Sequence, residues 1–394
     1  VLDVALFDDP EHQRQYVSGW KFSTENLVLA GMPGSGTSST LAALALRIAD
    51  TYAPGDADIV ILDVFTASLD RLKKLAHVRG YAGSGNTSES RQLQKRVLRY
   101  ISAELERRSA HPHDSFAPLF VLIDGFATLR EGYSDVDDMS LIESFYQVWA
   151  KGPAMGIHCV ATTTRLKALP PAISDLTGQK WLYQLADTSE YHPTVDKDNH
   201  PANLPGRFVS TIRAHHGHVG LPDDIDAAVA AINEFWGVDG LPPLVQEFPK
   251  RVGPEQLTNC FASGNETWQI PVGINEADLN PYVLEAFAGE HVLVSGPARS
   301  GKSTMLAAIH QMLVQESPNT KILVGAPRRS PLHQMLPGVM SPEQLVDVVE
   351  TQSAAPEPCI VLIDDAHLVA DDSQVLARVL ALPDSPLLFN RGWA

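Results

Sequence analysis

The feature that most constrains this chain is a glycine-rich loop between an apolar run and a helical pattern. Gly296-Pro-Ala-Arg-Ser-Gly301-Lys302-Ser303 fits the phosphate-binding pattern G-x-x-x-x-G-K-[ST] at every fixed position. The run His291-Val-Leu-Val-Ser295 predicts a buried strand before it, and residues 304–314 predict a helix after it. Backbone N–H groups of such a loop bind phosphate oxygens at the helix N-terminus. We expect Lys302 to reach the β- and γ-phosphates and the Ser303 hydroxyl to bind Mg²⁺.

An altered copy of this loop lies near the start of the chain. Gly31-Met-Pro-Gly-Ser-Gly36-Thr37-Ser38 has the same spacing, but Thr37 stands where the lysine should be. The apolar run Asn26-Leu-Val-Leu-Ala30 precedes it, and a helical pattern follows it. The repeat predicts two P-loop domains in tandem.

Each loop is followed by an apolar strand that ends in an aspartate. The two strands are Leu119-Phe-Val-Leu-Ile-Asp124 and Ile360-Val-Leu-Ile-Asp364. An aspartate at such a strand tip holds Mg²⁺ beside the P-loop hydroxyl. Asp365 follows in the second copy, and its carboxylate can orient and deprotonate the attacking water. Gly125 follows in the first copy and can do neither. ATP hydrolysis is therefore plausible for the second copy and unfavourable for the first.

These patterns predict a set of site residues for ATP and Mg²⁺. The nucleotide-binding residues are Gly296, Pro297, Ala298, Arg299, Ser300, Gly301, Lys302, Ser303 and Thr304 in the second copy, and Gly31, Gly34, Gly36, Thr37 and Ser38 in the first. The metal-binding residues are Ser303, Asp364 and Asp124, and Asp365 is the catalytic residue.

Charge and cysteine usage narrow the classes of function. The formal charge is −17, from 47 acidic and 30 basic side chains, which disfavours a surface that must neutralise many DNA phosphates. Cys159, Cys260 and Cys359 are isolated, so we expect buried thiols in a reducing compartment and neither disulfides nor a zinc site. No apolar run reaches the ~18 residues of a membrane helix. Because the chain begins without Met, we expect a fragment of a longer protein, with any membrane anchor upstream.

The order of elements predicts an α/β fold with tandem RecA-like domains and mainly parallel central sheets. We assign residues 1–240 to a domain with the degenerate loop, 241–268 to a proline-rich linker and 269–394 to a domain with the intact loop. Few residues follow Asp364, so the second domain is expected to be truncated after its aspartate strand. It should then lack counterparts of the runs Gly156–Thr164 and Lys180–Leu185.

Thr164 and a cluster of three histidines each allow both a functional and a structural interpretation. Thr164, at the end of a β-rich run, is either a sensor of the γ-phosphate or simply a polar strand end. His215, His216 and His218 lack a cysteine or carboxylate at ligand spacing, so solvated loop histidines are favoured over a metal site.

Together these motifs resemble the FtsK/SpoIIIE superfamily of P-loop motor ATPases. Among them, the chain looks most like the second and third ATPase domains of the EccC-type ATPases of type VII secretion. Besides the loops, the resemblance rests on the lead-in strand at Val4–Gln15, on the Gly156-Ile-His158 run and its strand, and on Pro205-Gly-Arg207. Thr164 stands where a DNA-translocating FtsK usually carries glutamine. Thr37 and Gly125 depart from the catalytic pattern.

The resemblance implies a membrane-anchored motor on the cytoplasmic side of the cell membrane, assembled as a hexameric ring with other secretion-system subunits. It also implies recruitment of small secreted proteins through their C-terminal signals. An arginine from a neighbouring domain is expected at such sites, with Arg165 and Arg207 as candidates. Two alternatives stay open: a DNA translocase, which the charge and Thr164 disfavour, and a regulatory scaffold that binds ATP without turnover.

Overall fold

The computed structural model describes residues 1–85, 87–133, 136–192, 195, 199–238, 240–253, 257, 260–263, 267–276, 279–287, 290–352, 359–366 and 387–392. The chain forms two compact units, Val1–Phe248 and Pro249–Ala394. Their boundary lies inside the proline-rich segment 241–268. The first part of that segment packs on the first unit, because Leu244 donates its backbone N–H to the Arg79 carbonyl at 2.7 Å.

The first unit alternates strands and helices in the way that the sequence predicts. Its strands are β1 (Leu2–Asp9), β2 (Arg14–Trp20), β3 (Leu27–Ala30), β4 (Asp58–Asp63), β5 (Val78–Gly83), β6 (Leu119–Asp124), β7 (Ile157–Thr163), β8 (Gln179–Leu182), β9 (Arg207–Ser210) and β10 (His216–Val219). Its helices are α1 (Thr37–Thr51), α2 (Ser88–Ala110), α3 (Phe126–Gly132), α4 (Val136–Lys151), α5 (Pro171–Ser174) and α6 (Ile225–Trp236).

The strands of the first unit form one ten-stranded sheet in the order β2-β1-β10-β9-β8-β3-β7-β6-β4-β5. The six strands from β8 to β5 are parallel, and the other four are joined antiparallel at one side. The prediction of a mainly parallel α/β sheet is therefore confirmed. Because parallel strands all end at the same edge, the loops after β3, β4, β6 and β7 meet there.

Side chains that alternate along the central strands enter two separate cores. Val121 and Ile123 of β6 pack with α2 and α4, whereas Phe120 and Leu122 pack with α1. All four side chains are fully buried. Burial on both faces explains why β3, β4 and β6 are continuous apolar runs rather than alternating ones. The polar residues of these strands are left at the strand tips, where the candidate site lies.

The second unit contains a three-stranded and a four-stranded sheet. Its elements are β11 (Ala262–Ser263), β12 (Thr267–Ile274), β13 (Pro281–Phe287), β14 (His291–Gly296), α7 (Lys302–Glu316), β15 (Lys321–Gly325), α8 (Leu332–Met335), α9 (Pro342–Gln352), β16 (Cys359–Ile363) and β17 (Leu387–Gly392). Strands β11, β12 and β13 pair antiparallel, and the order of the other sheet is β14-β17-β16-β15.

One prediction about the second unit is wrong. The C-terminal strand β17 inserts in parallel between β14 and β16, as β7 does between β3 and β6 in the first unit. A counterpart of the Gly156–Thr164 run is therefore present. Leu387-Leu-Phe-Asn-Arg-Gly392 lacks the threonine run of β7, so local sequence did not reveal it. Within the ranges of the second unit given above, no strand corresponds to β8.

Two of the three clustered histidines differ from their prediction as loop residues, whereas His215 lies in the loop before β10. His216 and His218 lie on β10, which pairs with β1 and β9. His215 accompanies them, and its Nδ1 lies 2.9 Å from the hydroxyl of Tyr16. The His215 side chain therefore links this loop to Tyr16 of β2.

Candidate nucleotide-binding sites

In the second unit, the intact loop brings a serine and an aspartate together. The loop follows β14, and Gly301 takes a left-handed conformation (φ 94°) immediately before α7 begins at Lys302. The Oγ of Ser303, in the first turn of α7, lies 3.0 Å from both carboxylate oxygens of Asp364. Asp364 follows β16 and is fully buried. The predicted hydroxyl and carboxylate thus face each other, and such oxygen ligands suit Mg²⁺.

The lysine of the same loop is held by backbone carbonyls. The Nζ of Lys302 donates to the carbonyl oxygens of Gly296 and Pro297, at 3.1 and 2.8 Å. These carbonyls belong to the loop that the sequence predicts to surround the phosphates. The ammonium group is therefore anchored at the mouth of the loop, where it can exchange carbonyl contacts for charge-assisted contacts with phosphate oxygens.

Asp365 lies one residue beyond the buried aspartate, with a half-buried side chain. Its backbone is left-handed, with φ at 47°. Aspartate is among the few non-glycine residues that adopt this conformation readily, and such residues are common at functional sites. The position is consistent with the predicted catalytic role, which stays a prediction.

The degenerate loop of the first unit forms the same hydroxyl–carboxylate pair. The Oγ of Ser38 lies 3.1 and 2.9 Å from the two carboxylate oxygens of Asp124. Asp124 is almost fully buried at the end of β6. Gly125 follows with φ at 92°, and a Cβ atom there would lie 2.6 Å from the Cβ of Phe65. The first unit therefore has no room for a side chain at the position that Asp365 occupies in the second.

A cavity of about 200 Å³ opens beside this pair. Its walls come from both the loop and the strand tips that the sequence singles out. They include Gly31, Gly34, Gly36, Thr37, Ser38, Phe65, Thr66, Asp124, Gly125, Thr162, Thr163, Thr164 and Pro205. Six residues of the predicted site thus lie around one space, with the threonine-rich end of β7 opposite the loop.

Two threonines at this site were not predicted as site residues. The Thr162 hydroxyl donates to Asp124 Oδ1 at 2.7 Å and accepts the backbone N–H of Gly125, also at 2.7 Å. The Thr66 hydroxyl donates to Asp124 Oδ2 at 3.1 Å. The polar end of β7 was the only sequence signal for Thr162, and it pointed to Thr164, which lines the same cavity, whereas Thr162 also bonds to Asp124.

The segment at Pro205 and Gly206 closes one side of the degenerate loop. The backbone N–H of Gly206 donates to the carbonyl of Ser35 at 2.8 Å. A Cβ atom at Gly36 would lie only 2.4 Å from the Gly206 nitrogen, and Gly36 has φ at 103°. Position 36 therefore needs glycine both for its backbone conformation and for this close approach.

A second buried carboxylate supports the turn that carries Phe65 and Thr66. Asp63 ends β4 and accepts the backbone N–H of Leu69 at 2.8 Å and the hydroxyl of Tyr81 at 2.9 Å. Burial raises the pKa of Asp63 above its usual range, although both hydrogen bonds oppose that shift. These contacts hold the turn against the neighbouring strand tip, where Thr66 reaches Asp124.

Comparison with known proteins tests the resemblance inferred from the motifs. Residues 2–115 match the model of the FtsK/SpoIIIE family. The chain is 25% identical over 370 residues to the ESX-1 secretion system protein EccCb1 of Mycolicibacterium smegmatis, covering 85% of this chain and 61% of that protein. It is 28% identical over 350 residues to the ESX secretion system protein EccC of Thermomonospora curvata, covering 79% of this chain and 25% of that one. The predicted FtsK/SpoIIIE resemblance is confirmed.

Two solved structures share the fold of this chain. ATPases 2 and 3 of Thermomonospora curvata EccC, in complex with a signal sequence peptide, superpose with a TM-score of 0.73 at 23% identity, covering 99% of this chain and 81% of that one. ATPases 2 and 3 of EssC from Geobacillus thermodenitrificans give 0.70 at 19% identity, covering 98% and 83%. The tandem ATPase fold predicted from the repeated loops is therefore confirmed.

The matches cover only part of the relatives' length. The chain spans about three-fifths of the length of its EccCb1 relatives. Among the residues that the structure describes, no helix has the length and apolar character needed to cross a bilayer. The family match supports nucleotide binding, and it includes the degenerate loop at 31–38 but not the intact loop at 296–303.

Proposed function

We propose that the chain is the ATP-binding, energy-coupling part of a type VII (ESX-like) protein secretion system. The observation that carries the proposal is the Ser303–Asp364 pair beside an intact phosphate loop. It occurs in a chain whose relatives are named ESX secretion proteins. Recurrence of the pair as Ser38 and Asp124 supports an origin of both units as nucleotide-binding domains.

In this proposal the second unit holds ATP with Mg²⁺. Backbone N–H groups of the loop and Lys302 bind the phosphates, while Ser303 and Asp364 bind the metal. Bound Mg²⁺ supplies positive charge to the β- and γ-phosphate oxygens. Asp365 orients the attacking water and accepts its proton.

The first unit serves as a nucleotide site without turnover. Thr37 removes the point charge beside the phosphates, but the loop backbone and the Ser38–Asp124 pair are kept. Gly125 leaves no carboxylate to activate water, and Phe65 fills the space beside it. Bound nucleotide here would order the unit rather than drive a cycle, as in the scaffold alternative.

The partners follow from the same relatives. The Thermomonospora EccC structure contains a signal sequence peptide. By analogy, we expect this protein to recruit small secreted proteins through C-terminal signals and to work with other secretion subunits in a ring. By the same analogy, we place it on the cytoplasmic side of the cell membrane.

The test is nucleotide binding and phosphate release by the full-length protein, with secreted helical proteins or duplex DNA added separately. We expect saturable ATP binding and turnover that responds to a secreted protein. The net charge of −17 leads us to expect only non-specific DNA binding at physiological salt. Nanomolar, strongly salt-dependent DNA binding would instead support a translocase, and saturable binding without any turnover would support the scaffold.

A further inference from the structure

A hydroxyl from a second loop reaches the metal-binding aspartate in both units. In the second unit the Oγ of Ser330 donates to Asp364 Oδ2. In the first, the Oγ1 of Thr66 donates to Asp124 Oδ2. Each hydroxyl comes from the turn after the strand that follows the P-loop helix. The turns differ in sequence, Ala326-Pro-Arg-Arg-Ser330 against Val64-Phe-Thr66, so no shared local motif explains the same contact.

Ser330 is held so that its hydroxyl can donate to the aspartate. The side chain is buried, and its Oγ accepts the backbone N–H of Leu332 at 3.0 Å. Its own backbone N–H donates to the Pro327 carbonyl at 2.9 Å, which closes the turn. Because one lone pair of the hydroxyl is taken by Leu332, the hydroxyl acts as a donor to Asp364.

The Ser330 hydroxyl distinguishes the two carboxylate oxygens of Asp364, whereas the Ser303 hydroxyl does not. The Oγ of Ser303 is equally far from both oxygens of Asp364, so its single hydrogen can bond to either. The last torsion of an aspartate side chain is broad, which lets the carboxylate plane turn. The Ser330 hydroxyl donates to Oδ2 and so favours one orientation of that plane. Mg²⁺ demands near-ideal octahedral geometry, and loss of groups that orient ligands commonly costs 10–100-fold in metal affinity.

We propose that Ser330 is a positioning residue that orients Asp364 for the metal of a bound Mg²⁺–nucleotide. This inference rests on the proposed nucleotide binding by the second unit. It adds a third group to the Ser303–Asp364 pair. Ser330 acts through the carboxylate and does not itself contact the nucleotide.

The test is a Mg²⁺ titration of the binding of a fluorescent ATP analogue to the full chain. In Ser330→Ala, the Mg²⁺ concentration that gives half of the maximal increase in analogue binding should rise about tenfold or more. The affinity of this variant for the analogue in EDTA, without free Mg²⁺, should stay within about twofold of the parent's affinity, because the phosphate loop is unchanged. Ser330→Thr keeps the donor and should behave like the parent. Ser317→Ala is the matched control, since Ser317 bonds to Thr320 beyond the far end of α7.

Each result has a distinct meaning. An unchanged Mg²⁺ response in Ser330→Ala, alongside a lost response in Asp364→Asn, would overturn the role of Ser330 while the proposed function stood. Absence of saturable nucleotide binding by the parent would overturn the proposed function, and this inference with it. If Ser330→Ala does not fold, as judged by circular dichroism, Ser330→Cys replaces it. That variant has a weaker donor of similar size, and a parental Mg²⁺ response from it would also contradict the proposal.

Discussion

The Oγ of Ser303 lies 3.0 Å from each carboxylate oxygen of Asp364, although 61 positions separate the two residues in the chain. The parallel sheet creates this proximity by ending the loop strand and the aspartate strand at the same edge. Ser38 and Asp124 repeat the relationship across 86 positions. What differs between the units is the chemistry around the pair.

Lys302→Ala should weaken ATP binding by the second unit at least tenfold, or about 1.4 kcal/mol. The variant loses the charge that the carbonyls of Gly296 and Pro297 hold at the predicted phosphate loop. Titration with a fluorescent ATP analogue measures the effect. Lys321→Ala, an exposed lysine at the start of β15, is the control and should bind like the parent. Parental affinity in Lys302→Ala would contradict the phosphate-loop assignment.

Asp365→Asn should slow phosphate release strongly while ATP affinity stays within a few-fold. The amide keeps the size of the carboxylate but cannot accept a proton from water. Binding and phosphate release are measured on the same full-length preparation. Asp347→Asn, on helix α9 of the same unit, controls for the loss of one negative charge. Equal phosphate release by Asp365→Asn and the parent would rule out Asp365 as the base.

Gly125→Asp should destabilise the first unit by about 1–3 kcal/mol rather than restore a catalytic carboxylate. The new Cβ would lie 2.6 Å from the Cβ of Phe65, and the backbone there has φ at 92°. Urea unfolding followed by tryptophan fluorescence measures the loss. Adding Phe65→Gly, which removes the Cβ atom on which the clash falls, should recover part of it. Gly132→Asp is the control, because a Cβ there meets no atom within 4 Å; a parental midpoint for Gly125→Asp would disprove the clash.

Acidification should destabilise the first unit through His158. Burial, helped by the charge of Arg108, lowers the pKa of His158 to about 4. In the unfolded state the pKa is near 6.5, so the unfolded chain binds the proton more tightly. The contribution of His158 to the free energy of unfolding is therefore complete above pH 6.5 and is lost as the pH falls toward 4. Between pH 7.5 and pH 5 this single group should cost about 2 kcal/mol.

Urea unfolding at several pH values checks this dependence. His158→Phe should flatten the acidic decline because the phenyl ring cannot bind a proton, even if its stability at pH 7.5 is lower. His113→Gln changes an exposed histidine of the same unit and should leave the decline as it is. A decline equally steep in His158→Phe would assign the pH dependence to other groups.

The sequence by itself determined the parts of the molecule that local pattern specifies. The two loops, the helices after them and the aspartate strands β6 and β16 lie where glycine spacing and apolar runs predicted. Glycines and short apolar runs act on the nearest backbone, so their effect can be read from a few neighbours. The same reasoning identified the Ser303–Asp364 pair, because P-loop chemistry needs both residues.

Tertiary structure alone decided the contacts that depend on which strands become neighbours. The insertion of β17 between β14 and β16, the approach of Gly206 to Gly36, and the hydroxyls of Thr66 and Ser330 on the aspartates all join distant segments. Local periodicity shows that a segment is a strand or a turn but not which strand lies beside it. That choice comes from burying both faces of the whole sheet at once, and it gives each aspartate a hydroxyl donor from a distant turn.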